Sequence, residues 1–268
     1  MSDVRVDVLG VGVSALDLPA AVERIRSWID NGERHYVCVT GVHGVMESQR
    51  DPELLRIHNG AGMTTPDGMP LVWAGRYAGA AIDRVYGPDL MLAVLAESVR
   101  QGWSSFFFGG GPGVADRLAD RLASRFPGLV VAGVFSPPFR EKVGREEPEI
   151  LEVINRAEPD LLWVGLGTPK QERWMAANVD VVHSSAILGV GAAFDIHAGL
   201  LPQAPKWMRD RGLEWLFRLA IERKRLWRRY LVNNPQFIVR MLASPPRIRP
   251  AVPASMEAWL QRDESLSA

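Results

Sequence analysis

Apolar runs alternate with amphipathic segments through the first 200 residues of the chain. Short, continuously apolar runs predict strands over residues 4–9, 35–40, 63–65, 104–108, 129–134, 161–164 and 185–190. Segments with apolar residues at helical spacing lie between most of these runs. Continuously apolar strands are typical of a sheet with both faces covered, whereas half-exposed strands alternate. The pattern therefore predicts an α/β fold: a mostly parallel, doubly wound sheet with helices on both faces.

Capping residues mark the ends of the first predicted helix. Asp17 precedes it as an N-cap, Pro19 lies in its first turn, and Gly32 ends it. Further helices are predicted over residues 44–49, 52–58, 88–100, 149–157 and 169–177, and over a segment that ends at Arg125. Ligands of doubly wound sheets bind at the carboxyl ends of the strands, so the loops that follow strands are the first place to look for a site.

The character of the chain changes after Leu201. Residues 207–242 are predicted to be helical, cationic and aromatic, with a break at Asn233-Asn234-Pro235. We predict three parts: a main domain over residues 1–204, a helical appendage over 205–244, and a Pro-rich, flexible tail over 245–268.

Charge is distributed unevenly along the 268 residues, although Lys+Arg and Asp+Glu are 31 each. Residues 205–249 hold twelve basic and three acidic side chains, so the rest of the chain is acidic. Such asymmetry indicates an anionic partner, either a membrane surface or nucleic acid. Trp207, Trp215, Trp227 and Tyr230 are aromatics of the type that settles at headgroup depth, although they also fit a helix pair packed on the main domain.

The single cysteine, Cys38, allows no disulfide within the chain, which fits a reducing compartment. The first ten residues do not resemble a secretory signal, and no apolar run reaches the length of a membrane span. We therefore expect a cytoplasmic protein, either soluble or peripheral on the inner face of the cytoplasmic membrane.

Two glycine-rich turns follow predicted strands. Gly109-Gly110-Gly111 precedes a helix, so its backbone N–H groups could meet a phosphate, although a tight turn without a ligand also fits. The spacing departs from the dinucleotide fingerprint because Val114 stands at its third glycine. The second turn is Gly165-Leu166-Gly167-Thr168-Pro169-Lys170-Gln171-Glu172, in which Gln171 suits a uracil edge or a sugar hydroxyl and Glu172 suits the helix dipole.

Carboxylates stand at several candidate positions. Asp67 follows a short strand in Thr65-Pro66-Asp67-Gly68, where Asp is also a common turn former. Asp195 interrupts an apolar stretch and so needs a partner or a ligand. Arg84 and Asp89 flank another turn, and the five histidines are scattered. The chain contains no Asp-x-Asp, so we predict no metal site and expect arginines and backbone N–H groups to meet anionic groups.

Six blocks in order resemble the WecG/TagA/CpsF family of bacterial glycosyltransferases (glycosyltransferase family 26), over roughly residues 4–242. The blocks are Thr64-Thr65-Pro66-Asp67-Gly68, Arg84-Val85-Tyr86-Gly87-Pro88-Asp89, Phe107-Phe108-Gly109-Gly110, the second glycine turn, Gly191-Ala192-Ala193-Phe194-Asp195, and Gly212-Leu213-Glu214-Trp215-Leu216-Phe217-Arg218-Leu219 with Trp227-Arg228-Arg229-Tyr230. The resemblance implies a Rossmann-like fold and an inverting, metal-independent enzyme without a cofactor.

The same resemblance implies the substrates and the partners. The donor is a UDP-N-acetylhexosamine, typically UDP-N-acetylmannosamine, and the acceptor is a polyprenyl-diphosphate-linked amino sugar of cell-wall or surface polysaccharide synthesis. An anionic membrane surface is an expected partner, nucleic acid is not, and homo-oligomerisation stays open.

Roles for individual residues also follow from the resemblance. Asp67 is implied as the general base, and the arginines of the appendage as contacts to diphosphate. The predicted substrate-binding residues are Thr40, His43, Gly68, Arg84, Asp89, Gly109, Gly110, Gly165, Gly167, Pro169, Gln171, Glu172, Asp195, Arg218, Arg225, Arg228 and Arg229. The family often has Thr-x-Asn after the second strand; Val42 replaces the Asn here and His43 follows it, which leaves the sugar pair open.

Two other classes of function remain as alternatives. The first is a nucleotide-dependent Rossmann oxidoreductase, which the incomplete glycine fingerprint disfavours. The second is a nucleic-acid-binding protein that uses the basic C-terminal segment, and the acidic remainder of the chain argues against it.

Overall fold

A computed structural model describes residues 4–137, 146 and 148–249. Its strands are β1 (Arg5–Val8), β2 (Val11–Ser14), β3 (His35–Thr40), β4 (Met63–Pro66), β5 (Ser104–Gly109), β6 (Val130–Phe135), β7 (Leu161–Gly165), β8 (Ala186–Gly189) and β9 (Arg247–Arg249). Its helices are α1 (Leu18–Asn31), α2 (Val42–Ser48), α3 (Pro52–Gly60), α4 (Met69–Tyr77), α5 (Gly87–Gln101), α6 (Val114–Arg125), α7 (Pro148–Arg156), α8 (Lys170–Asn178), α9 (Ala193–His197), α10 (Lys206–Asp210), α11 (Glu214–Ile221) and α12 (Arg223–Ala243).

The main sheet has six parallel strands in the order β4-β3-β8-β7-β5-β6. Consecutive residues of β5 show how both of its faces are covered. Phe107 packs in one core with Trp28 of α1, whereas Phe106 and Phe108 pack in a second core with Trp174 of α8. The predicted parallel sheet with helices on both faces is thereby confirmed, because continuously apolar strands must bury alternate side chains in opposite layers.

The ends of α1 confirm the capping prediction. The Asp17 carboxylate accepts a hydrogen bond from the N–H of Ala20 at 2.9 Å, and Gly32 adopts a left-handed conformation that ends the helix. Helices α4 and α9 were not predicted from the sequence. Both follow strand-end turns closely, and four residues of α4 are buried, so its composition shows no clear amphipathic stripe.

A second, antiparallel sheet has the order β2-β1-β9. The strand predicted over residues 4–9 is confirmed over Arg5–Val8, but β2 was not predicted. Leu9 and Gly10 both have positive φ and reverse the chain into a two-residue hairpin between β1 and β2. The tail predicted from residue 245 begins with a strand instead. Arg249 ion-pairs with Asp7, and Ile248 lies opposite Val6 in the ladder. Residues 250–268 lie outside the described residues.

Helix α12 continues through the predicted break at Asn233-Asn234-Pro235. A proline inside a helix removes one N–H donor and crowds the preceding turn. Contacts on both sides of Pro235 offset that cost, since Asn233 hydrogen-bonds to Arg50 at 2.9 Å and Phe237 is buried beside the β1–β2 hairpin. Within the described part of the chain, no helix is both long and apolar enough to cross a membrane.

Candidate active site

A cleft of about 740 Å³ opens at the carboxyl ends of the main-sheet strands. The loops after β3, β4, β5, β7 and β8 form its floor and sides, and residues from α10, α11 and α12 form the facing wall. This edge of a doubly wound sheet is where ligands usually bind, because the strand-end loops converge there.

Asp67 lies where β4 ends, held tightly against the end of β3. Its N–H donates to the Thr40 carbonyl at 2.8 Å. A Cβ at Gly41 would lie 2.9 Å from the Asp67 carbonyl oxygen, so only glycine allows the two strand ends to approach this closely. The backbone therefore fixes where the Asp67 carboxyl group enters the cleft.

The surroundings of the Asp67 carboxyl group raise its pKa above the value it has in water. Its Oδ1 is buried and has no hydrogen-bond partner. Burial and, next, the negative charge of Glu214 raise the pKa of Asp67 from 3.8 to about 6, against the opposing effects of Arg84, Arg218 and a hydrogen bond from the Gly87 N–H. A carboxylate with this pKa is suited to accept a proton near neutral pH.

Arg84, Tyr86 and Glu214 form a charged cluster beside Asp67. The Arg84 guanidinium ion-pairs with Glu214 and lies 4.2 Å from the centre of the Tyr86 ring. Burial, followed by the charges of Glu214 and Asp67, raises the pKa of Tyr86, so its hydroxyl stays protonated and donates to Glu214. The cluster links the loop before α5 to the first turn of α11.

Arg209 approaches the same aromatic ring. Its Nη1 donates to both carboxylate oxygens of Asp89, at 3.1 and 2.9 Å, and its guanidinium carbon lies 5.7 Å from the Tyr86 ring centre. The Nε atoms of Arg84 and Arg209 are buried without a hydrogen-bond partner. Arg84 and Arg209 thus both line the cleft, whereas Asp89 pairs with Arg209 and does not line the cleft.

The two glycine turns touch each other and form one surface. Gly109 has a φ of +126°, and a Cβ there would lie 2.7 Å from the backbone of Gly165. The N–H of Gly110 donates to the Gly165 carbonyl at 3.0 Å. Gly110, Gly165 and Gly167 line the cleft, and Gly109 lies beneath them as the residue that permits the close approach.

Gln171 and Glu172, which follow the second glycine turn, lie in different places: one on the floor of the cleft and the other in the protein interior. Gln171 is 2% exposed, and its amide accepts from the Gly167 N–H at 3.2 Å and donates to the Gly189 carbonyl at 3.1 Å. Glu172 is fully buried and accepts from the Thr168 hydroxyl at 2.9 Å. Gln171 thus lies on the cleft floor, whereas Glu172 lies beneath it and supports the loop, contrary to its predicted place in the site. Pro169 follows a cis peptide bond and does not line the cleft either.

Thr40 is the last residue of β3 and His43 lies in the first turn of α2; both line the cleft. The Thr40 hydroxyl lies 2.8 Å from Nε2 of His58, a fully buried histidine whose pKa is lowered by burial. His43 Nδ1 lies 3.2 Å from the Asn233 amide nitrogen of α12. His58 was not among the predicted site residues, because nothing in its local sequence distinguishes a buried histidine from an exposed one.

The predicted C-terminal arginines differ in their positions. Arg218 lines the cleft and lies 3.4 Å from Glu222, whereas Arg228 is exposed beside Trp227 and does not line the cleft. The side chains of Arg225 and Arg229 lie outside the described part of the structure. Gly68 and Asp195, the remaining predicted residues, both line the cleft.

Several cleft residues were not among the predicted set. They include Tyr86, Arg209, Glu214, Trp215, Tyr230 and Asn234. Glu214 precedes Arg218 by one helical turn, a spacing that places both on the same face of α11 and could have identified it. Among the residues that the structure describes, no group of three or more His, Cys, Asp or Glu side chains is arranged to hold a metal ion.

One family model and several known proteins match most of the chain. The model of the glycosyl transferase WecG/TagA/CpsF family matches residues 6–250. A protein of Staphylococcus aureus (strain NCTC 8325) is 25% identical over 250 residues, which are 92% of this chain and 96% of that protein. A protein of Bacillus subtilis (strain 168) is 24% identical over 235 residues, or 84% and 89% of the two chains. Both relatives are named N-acetylglucosaminyldiphosphoundecaprenol N-acetyl-beta-D-mannosaminyltransferase.

Proposed function

The chain belongs to the WecG/TagA/CpsF family of glycosyltransferases, and we propose that it transfers N-acetylmannosamine from a UDP-sugar to N-acetylglucosamine carried on diphosphoundecaprenol. The observation that carries the proposal is Asp67, whose half-buried carboxyl group shares one cleft with the glycine turns and with three arginines. The family match gives no support to the oxidoreductase and nucleic-acid alternatives.

The proposed reaction is a single displacement with inversion. An acceptor hydroxyl oxygen attacks the anomeric carbon from the face opposite the leaving group, and its proton passes to the Asp67 carboxylate. The bond between the anomeric carbon and the diphosphate oxygen breaks, and its electron pair leaves with UDP. A general base within hydrogen-bond reach of the hydroxyl contributes about 10²–10⁴-fold to such a step. The environment of Asp67 supports this role because its pKa lies near 6.

The departing UDP gains negative charge, so preorganised donors lower the barrier. We assign this task to Arg84, Arg209 and Arg218, which line the cleft, together with the N–H groups of the glycine turns. Arg84 and Arg209 each have a buried Nε donor without a hydrogen-bond partner. Arginine suits the task because its planar guanidinium binds phosphate oxygens and stays charged. The proposal uses neither a metal ion nor a cofactor.

The acceptor's lipid chain requires the cleft to meet a membrane surface, and α12 supports peripheral binding there. Leu231, Ile238, Val239 and Leu242 are each more than half exposed on this helix. Arg223, Lys224, Arg228 and Arg240 on the same helix are also exposed. Exposed apolar side chains interspersed with cations are suited to an anionic bilayer surface, where each cation contributes about 1 kcal/mol.

The direct test is an assay of UDP release with a panel of UDP-N-acetylhexosamines and a synthetic lipid-diphosphate N-acetylglucosamine acceptor. We expect acceptor-dependent release with UDP-N-acetylmannosamine and much slower release with its C2 epimer. Equal rates with both donors would contradict the donor assignment. Release without any transfer to the acceptor would contradict the proposed function itself.

A further inference from the structure

The His43 ring, which lines the cleft, contacts a buried side chain of α12. Asn233 is 4% exposed, and its Nδ2 lies 3.2 Å from His43 Nδ1. On its other side, Asn233 Oδ1 accepts a hydrogen bond from Arg50 Nη2 at 2.9 Å. Asn233 therefore contacts both Arg50, which follows α2, and His43, which lies on α2. Asn233 is 183 positions from the arginine and 190 from the histidine along the chain.

The chemistry of this chain of contacts fixes where the His43 ring carries its proton. A guanidinium group only donates hydrogen bonds, so the Asn233 atom that faces Arg50 must be the amide oxygen. The amide nitrogen, which only donates, then faces His43 Nδ1. That ring nitrogen must offer a lone pair, and the proton of the neutral ring must be on Nε2.

A carboxylate near the same ring nitrogen favours the opposite arrangement. Glu47 Oε1 lies 3.8 Å from His43 Nδ1 and would attract a proton there. Arg50 Nη1, however, donates to the same Glu47 oxygen at 2.8 Å. Arg50 thus pairs with this Glu47 oxygen and also orients Asn233, so in the native protein the Asn233 amide outweighs Glu47 and Nδ1 stays unprotonated.

We propose that Asn233 is a positioning residue that holds His43 as its neutral Nε2–H tautomer, so that the ring meets the substrate as a hydrogen-bond donor. The identity of that substrate rests on the proposed function: the matching group is a hydroxyl or acetyl-carbonyl oxygen of a neutral sugar.

The tautomer is measured directly by NMR of protein labelled with ¹⁵N in its five histidines, the His43 signals being assigned with His43→Gln. We expect native His43 to show a protonated Nε2 and an unprotonated Nδ1 at pH 8. In Asn233→Leu the proton should move to Nδ1, toward Glu47. Gln236→Leu is the matched control, because Gln236 accepts from the same Arg50 atom at 2.9 Å. The control should keep the native tautomer.

Steady-state kinetics supply the second readout. Asn233→Leu and His43→Gln should each raise one substrate's KM by roughly three- to tenfold, as expected for one lost hydrogen bond, and the double variant should add little. The pH at which activity falls on the acid side should not move. Asn233→Asp gives a second test of the tautomer. Its carboxylate can accept hydrogen bonds both from Arg50 and from a protonated Nδ1, so the His43 proton should again be on Nδ1.

A proton on Nδ1 in the native protein would overturn the proposal, as would an unchanged tautomer in both Asn233 variants. Absence of sugar transfer by the native protein would instead count against the proposed function, and the NMR result would stand independently of it.

Discussion

Arg84 forms an ion pair with Glu214, a residue 130 positions later in the chain. The pair joins the sheet side of the cleft to α11 and places a carboxylate and a guanidinium beside Asp67. Because both charges act on the Asp67 carboxyl group, the proton affinity of the proposed base depends on the position of a C-terminal helix. The raised pKa of Asp67 therefore requires α11 to hold Glu214 in this position.

The first prediction concerns the pH dependence of activity. Asp67 must be ionised to accept a proton, so activity should fall as the pH drops through about 6. Glu214→Gln should move this acid limb to lower pH, because it removes a negative charge that raises the Asp67 pKa and releases Arg84 toward Asp67. The measurement is kcat/KM as a function of pH for both proteins.

A matched control for that experiment is Asp83→Asn, which removes an exposed carboxylate paired with Arg76 outside the cleft. The control should keep the native acid limb. An acid limb that stays in place in Glu214→Gln would contradict the coupling between Glu214 and Asp67.

The second prediction concerns stability. In the folded protein the pKa of Asp67 is raised from 3.8 to about 6, so the folded state binds more protons than the unfolded state between these values. Stability is therefore lost as the pH rises through this window, by at most about 3 kcal/mol. The side chain of Asp67→Asn cannot ionise, so the variant does not lose this stability. The free energy of unfolding of the variant minus that of the native protein should therefore be larger at pH 8 than at pH 4. Chemical denaturation at the two pH values measures this, and an equal difference at both would contradict it.

The third prediction concerns the membrane surface. Ile238 and Leu242 are 58% and 78% exposed on α12, so replacing both by Glu should leave the fold intact and remove apolar and electrostatic attraction to anionic lipid. Cosedimentation with vesicles that contain an anionic lipid should show at least about tenfold weaker binding, because roughly 1.5 kcal/mol or more is lost for each apolar side chain. Val153→Glu on α7, 46% exposed, is the control. Equal loss in the control would show that α12 is not the contact.

The fourth prediction concerns metal ions. Transfer should continue in EDTA, because the proposal assigns the charge of the leaving UDP to guanidinium and N–H groups. The assay compares transfer rates before chelation, in EDTA, and after Mg²⁺ is added back. A rate lost in EDTA and restored by Mg²⁺ would contradict the metal-free mechanism.

Local sequence was sufficient to predict the main sheet and the position of its functional loops. Continuous apolar runs indicate doubly covered strands, and a Gly or Asp directly after such a run lies at the edge where loops converge. This explains why Asp67, Gly165 and Gly167 were correctly placed at strand ends.

Features that depend on distant contacts were not predictable in the same way. The continuity of α12 through Pro235 depends on Arg50 and on the core around Phe237, neither of which is visible in the local pattern. Glu172 was assigned to the site from the resemblance of its glycine-turn block, yet its place on α8 directs its side chain into the interior. Arg209 and Glu214 enter the cleft only through pairing with residues 120 or more positions away.

The most direct test of the account is the turnover of Asp67→Asn. With donor and lipid-linked acceptor present, we expect turnover to fall by at least about 100-fold while the Kd for the UDP-sugar stays close to the native value. That result would separate proton transfer from donor binding and assign the base. Native turnover in Asp67→Asn would contradict the central claim.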